Sequence, residues 1–423
     1  MKFFLILSML LALQLSSAFS AVYYIATNGS DLNTGSINEP FATIQRSQTA
    51  VSAGDTVYIR GGIYLMTEAQ IAQKVRTWTY VTYLDKSGTT GKRINYWAYP
   101  GEKPVFDLSN IKPSGYRITV FYVSGSYIHI KGIEVIGTQV TITGHTQSEC
   151  FENNGSNNIY ELLKMHDGQA IGFYLLNGSD NLILNCDAYR NWDYISESGK
   201  GGNTDGFGCH PSTGSKGNIF RGCRAWFNSD DGYDCISASE SVIFENCWAF
   251  YNGYSSDFKG LGDGNGFKIG GHGGKPFNKL PQTIPSHTVK YCLSVQNKAN
   301  GFYSNHNLAG SNWYNNAAYN NSVNYNMLNR DSLTAEKYLT DVPGYNHVMK
   351  NNIGFQARSA EYTNINTSRC TLINNYFNSN ISLTTDDFVS LDLTLLVADR
   401  KPDGSLPDNG FMKLKSTGNF YLK

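Results

Sequence analysis

One phrase of ten residues recurs from the middle of the chain onward: an apolar residue, three free positions, Cys, a free position, Ala, two free positions and Asn. It fits Cys186, Ala188 and Asn191, then Cys223, Ala225 and Asn228, then Cys247, Ala249 and Asn252, then Cys292, Ser294 and Asn297. Weaker copies follow at Asn316, Ala318 and Asn321 and at Asn375, Phe377 and Asn380, with a blurred one near Asn352. Neighbouring copies are 23 to 24 residues apart at their closest, and intervals of 37, 45 and 36 residues carry insertions. A period of this size, with two or three short β runs per copy, predicts an all-β solenoid, a single parallel β-helix of about 10 turns. In such a stack Asn191, Asn228, Asn252, Asn297, Asn321 and Asn380 form a ladder at an inward turn, where their amides bond backbone groups that no strand pairs. The cysteine column reads as small buried hydrophobes, mostly reduced, with rungs close enough to permit one bridge.

The flanking regions fit this frame. Lys2, the apolar run from Phe3 to Leu15 and the small residues up to Ala18-Phe19-Ser20 read as a secretory signal over residues 1–20, cut before Ala21. Residues 21–423 then form one exported domain, expected to act as a monomer, with no apolar run long enough to span a membrane. Phe41 to Ser52, with Ile44, Ala50 and Val51 as apolar points, is the best helix candidate near the start and would cap the open first turn. Asp386 to Lys423 is expected to close the far end. Lysine plus arginine equals aspartate plus glutamate, 34 each. That balance argues against nucleic acid, which needs a basic surplus.

Three copies of a second pattern lie between Asn203 and Gly270: Asn203-Thr204-Asp205-Gly206-Phe207, Ser229-Asp230-Asp231-Gly232-Tyr233-Asp234 and Asp263-Gly264-Asn265-Gly266-Phe267-Lys268. Aligning Gly206, Gly232 and Gly266 puts Asp205 over Asp231 and Asp234 beside Lys268. Asp205, Asp230, Asp231, Asp234 and Lys268 then share one patch, which is costly without a neutralising cation. One Asp-Gly turn would simply bond its own backbone. Four converging carboxylates, with no zinc-type ligand beside them, favour calcium. A divalent cation and partial burial would depress the Lys268 pKa and suit it to be a general base. Insertions at Trp192–Gly202, Tyr254–Gly262 and Gly271–Ser286 are expected to build the binding face. Their aromatic residues, with Trp226, either stack on sugars or pack between rungs.

One chemistry needs this combination, β-elimination of a uronate glycoside. The base takes the C5 proton, the cation supports the charge growing on the carboxylate, and the C4 oxygen leaves. On Asn203 to Gly206, Asp230 to Asp234 and Gly264 to Lys268, together with the less specific opening stretch Tyr23 to Tyr64, the chain resembles polysaccharide lyase family 9. The resemblance implies a right-handed parallel β-helix, calcium held by Asp205, Asp230, Asp231 and Asp234, and Lys268 as the base. It implies an acidic pectic backbone as substrate. The neutral charge balance and many aromatics lean toward rhamnogalacturonan I, whose galacturonates alternate with neutral rhamnose, with polygalacturonate as the alternative. Two other readings compete. A pectic glycoside hydrolase would use paired carboxylates and Gly271-His272-Gly273, but the Arg-Ile-Lys expected after that histidine is absent, Lys268 lies before it, and Asp234 would have no role. A non-enzymatic carbohydrate-binding β-helix would have no reason to gather Asp and Lys on three rungs.

Overall fold

The structure, a computed structural model, describes residues 20–273, 275, 277–331, 340–379 and 382–416. The segment expected to be a signal, apart from Ser20, and Asn380 lie outside the described residues. Three parallel sheets of 12, 10 and 11 strands wind as a right-handed β-helix. The first sheet runs from Val22–Ile25 to Thr371–Ile373, the second from Gly62–Leu65 to Ile353–Phe355. The third runs from Trp78–Leu84 to Ala360–Thr363, with Gln73–Val75 added antiparallel at one edge. Val22–Ile25, Thr56–Ile59 and Ile94–Ala98 are successive rungs of the first sheet. The helix is shorter than its sequence pattern, Ile44–Ala50, because the Thr43 hydroxyl caps it by accepting from the Arg46 N–H. Ile44 is buried beneath the first turn.

The recurring phrase has a direct structural meaning. Cys186, Cys223, Cys247 and Cys292 stack inside the coil, and all eight thiols are free. After Cys292 the same column continues with asparagine: Asn316 donates to Asn352 Oδ1 at 3.0 Å and Asn352 to Asn375 Oδ1 at 2.8 Å. The expected ladder also forms, Asn191 to Asn228 to Asn252 to Asn297 to Asn321, each amide donating to the next at 2.9–3.1 Å. Asn324, from the same turn, ends it by accepting from Asn321.

The C-terminal segment departs from expectation. Residues 386–416 run back along the outside of the second sheet. Leu396, Leu406 and Phe411 cover Trp226, Phe250 and Leu293 there. Asp187, in that sheet, is clamped between Arg224 and Arg400. The sequence concealed this because the tail resembles a turn-rich cap, while Arg400 finds its partner 213 residues away.

Candidate active site

The third sheet is bulged where its register skips a residue, at Val120 and Cys150 for example. Two successive residues point inward, such as Val120 and Phe121, or Cys150 and Phe151. Outward side chains three apart in sequence therefore become neighbours. The inner positions carry an aromatic stack, Phe207, Tyr233, Phe267, Phe302 and Tyr325, with successive ring centroids 4.6–5.1 Å apart. Each such ring contributes about 1.5–3 kcal/mol by burial. Gly206 and Gly232, each just before a ring, face Ala225 and Ala249 of the recurring phrase, and Gly266 faces Ser294 at the same place. A Cβ on Gly232 would lie 2.6 Å from the Gly266 carbonyl and 3.0 Å from Ala249 Cβ. Glycine is required here by close approach.

This frame sets the register that the glycine alignment implied. Phe207, Tyr233 and Phe267 are direct partners, as are Gly208, Asp234 and Lys268. Asp205 Oδ1 accepts the Asp231 N–H at 3.0 Å, and Asp231 Oδ1 accepts the Asn265 N–H at 2.6 Å. Asp230 Oδ1 takes the Asp263 N–H and Asp234 Oδ1 the Ile236 N–H. Each aspartate thus spends one oxygen on backbone and leaves the second available. Lys268 Nζ lies 3.0 Å from Asp231 Oδ2 and 3.2 Å from Asp234 Oδ2, with its side chain only 11 % exposed. Asp263 Oδ2 is 3.9 Å away.

Two groups of oxygens lie close enough to hold a metal: Asp205, Asp231 and Asp234, and Asp230, Asp231 and Asp263. Asp231 Oδ2 is buried and has no hydrogen-bond partner beyond its ion pair with Lys268. An orphaned buried carboxylate oxygen within an all-oxygen donor set fits a hard cation. Burial, reinforced by the neighbouring carboxylates, pushes Asp205 and Asp230 well above the usual range. Burial also raises Asp231, although Lys268 opposes it. Burial alone would lower the Lys268 pKa, as expected from the sequence. The four aspartates outweigh it and hold the pKa above the ordinary lysine range. The depressed value therefore requires a cation that takes up the carboxylate charge.

The other candidates separate cleanly. Trp226 is packed between Tyr189 and Phe250 in the second sheet, so it is structural. Tyr194 is 55 % exposed on its insertion and packs edge-on against Trp192. The insertions flank the third sheet on both edges: residues 192–202 and 254–262 lead into its strands, while 271–286 follows Phe267–Lys268. His272, which the hydrolase reading needs, is buried with Nε2 bonded to the Ala238 carbonyl at 2.7 Å. Sequence reasoning missed Tyr303, the direct partner of Lys268 on the next rung. It also missed Glu149 and Glu152, which repeat the three-residue offset of Asp231 and Asp234 on an earlier rung. Both accept from the Thr119 hydroxyl, and burial raises both pKa values.

Residues 23–352 match the family described as Pel9A-like, right-handed β-helix region. The chain is 32 % identical over 399 residues to a pectate lyase L from Dickeya dadantii, covering 93 % of this chain and 84 % of that protein. A solved rhamnogalacturonan lyase shares 46 % identity with a TM-score of 0.90, covering 94 % of this chain and 97 % of the other. The pectate lyase Pel9A structure shares 29 % identity with a TM-score of 0.73, covering 95 % and 90 %. With its coil, its register and its buried aspartate–lysine cluster, the chain belongs to the Pel9A-like right-handed β-helix family and is a polysaccharide lyase.

Proposed function

We propose that this lyase is an exported monomer that cleaves rhamnogalacturonan I by calcium-dependent β-elimination at its galacturonate residues. The observation that carries the reading is the single buried ammonium of Lys268 set among Asp205, Asp230, Asp231 and Asp234. The 46 % identity to a rhamnogalacturonan lyase, against 29–32 % to the two pectate lyases above, supports the substrate. So does the neutral charge balance.

Lys268 is the base. Its Nζ stands on the outer face of the third sheet, on a rung between Asp234 and Tyr303, with Gly208 one rung beyond Asp234. Asp205, Asp230, Asp231 and Asp234 would hold the calcium, each having committed its other oxygen to a backbone N–H. A bound calcium ion would supply a counter-charge for the uronate carboxylate as charge develops there. In its neutral form Lys268 accepts the C5 proton. Asp231 and Asp234 keep Nζ in place. The C4–O bond then breaks, and the product carries a C4–C5 double bond.

The test follows the ultraviolet absorbance of unsaturated products from rhamnogalacturonan I and from polygalacturonate, each with and without chelator. The expected result is faster release from rhamnogalacturonan I, abolished by chelation and restored better by calcium than by magnesium. Preference for polygalacturonate would overturn the substrate, and full activity after exhaustive chelation would overturn the metal.

A further inference from the structure

A second ladder of asparagines runs along the outer face of the third sheet and ends at the proposed metal site. Asn364 donates to Asn326 Oδ1 at 2.9 Å, Asn326 to Asn300 Oδ1 at 3.1 Å, and Asn300 to Asn265 Oδ1 at 2.7 Å. Asn265 donates to Asp231 Oδ1 at 2.8 Å. The direction is set chemically. A carboxylate only accepts, so Asn265 must present its N–H₂ to Asp231. Its carbonyl oxygen is then left for Asn300, whose backbone N–H reaches the same oxygen at 3.3 Å, and the orientation passes outward rung by rung.

This ladder is separate from the one inside the coil. The inner asparagines donate toward later rungs, from Asn191 to Asn321. The outer ones donate toward earlier rungs and stop at Asp231. The inner ladder serves buried turns that the fold cannot leave unpaired. The outer one lies on a face that becomes steadily more open, from buried Asn265 through half-buried Asn300 and Asn326 to exposed Asn364. Water could serve those amides there, so backbone satisfaction does not account for it.

We infer that Asn265 and Asn300 are positioning residues for metal binding. The aligned amides fix Asp231 Oδ1 and turn Oδ2, the orphaned buried oxygen, toward the cation. Aligned hydrogen bonds polarise one another, so the N–H₂ of Asn265 is a better donor for having Asn300 behind it. Removing such outer partners of a metal ligand typically weakens affinity by about 10–100-fold. The inference rests on the proposed calcium site.

The experiment is titration calorimetry with calcium chloride on the chelator-treated full chain, for the unsubstituted protein, Asn265→Ala and Asn300→Ala. Asn265→Ala should lose about 10-fold or more in affinity. Asn300→Ala, which leaves every contact to Asp231 in place, should lose less in the same direction. The calcium concentration giving half-maximal turnover should rise in step, while turnover at saturating calcium stays near normal. A merely structural lesion would lower the maximum instead. Unchanged affinity in Asn300→Ala, together with unchanged affinity or misfolding of Asn265→Ala, would overturn the inference. Absence of calcium binding by the unsubstituted chain would instead overturn the functional reading beneath it.

Discussion

Replacing Lys268 by alanine separates its proposed catalytic role from its electrostatic one. Within the third sheet it is the one cation in ion-pair reach of the cluster among the described residues, and its side chain is 11 % exposed. Removing one partner from a buried ion pair costs about 3–5 kcal/mol, because the other charge is left uncompensated. At about 2.1 cal/mol/K per residue, a chain of 423 residues unfolds with an entropy of about 0.9 kcal/mol/K, so the midpoint should fall by about 3–6 °C in calcium-free buffer. The deficit should shrink in acid. Folded, Asp205, Asp230 and Asp231 retain protons that the unfolded chain has released above its carboxylate pKa near ~4. The folded form therefore binds more protons, and stability falls as pH rises through the raised values. Without Lys268 this fall steepens, so the loss should be larger at about pH 8 than at about pH 5. Lys268 itself, raised above the lysine range, stabilises the fold at both. Calcium should restore the midpoint but not turnover, which should drop by roughly 10²–10⁴-fold. Lys268→Arg should keep the midpoint and still fail, since guanidinium does not give up its proton. Scanning calorimetry with product absorbance reads both effects. Near-normal turnover in Lys268→Arg would refute the base assignment, and an unchanged midpoint in calcium-free Lys268→Ala would refute the electrostatic argument.

Two further substitutions test the scaffold. Gly232→Ala should destabilise by about 1–3 kcal/mol, read by denaturant unfolding, and lower turnover as well, because the added Cβ meets the Gly266 carbonyl between Asp231 and Asp234. Arg400→Ala should leave turnover unchanged, since it lies on the second sheet, but should expose the segment from 386 onward to limited proteolysis, having removed one of the two guanidinia on buried Asp187.

The parts of the site legible in the sequence share one property: they lie on residues whose spacing repeats. Gly206, Gly232 and Gly266 fixed the register because a stacked coil brings equal positions together, and Asp205, Asp231, Asp234 and Lys268 followed by counting. The outer asparagine ladder uses the same register, yet Asn265, Asn300, Asn326 and Asn364 follow no common interval, since insertions of different length separate them. A repeat search tuned to the inner phrase passes over them. The C-terminal strap escaped for another reason. Its anchor on Asp187 is a single ion pair between distant segments, and neither partner carries any periodic mark. The direction of the Lys268 pKa is not legible from register, because it depends on a sum. Burial and a cation lower it, four carboxylates raise it, and register alone places these groups without weighing them. That weighing is also what couples the two proposed roles of the site: the carboxylates that would bind the metal are those that hold Lys268 protonated, so in the proposed mechanism metal occupancy and readiness of the base would be one equilibrium.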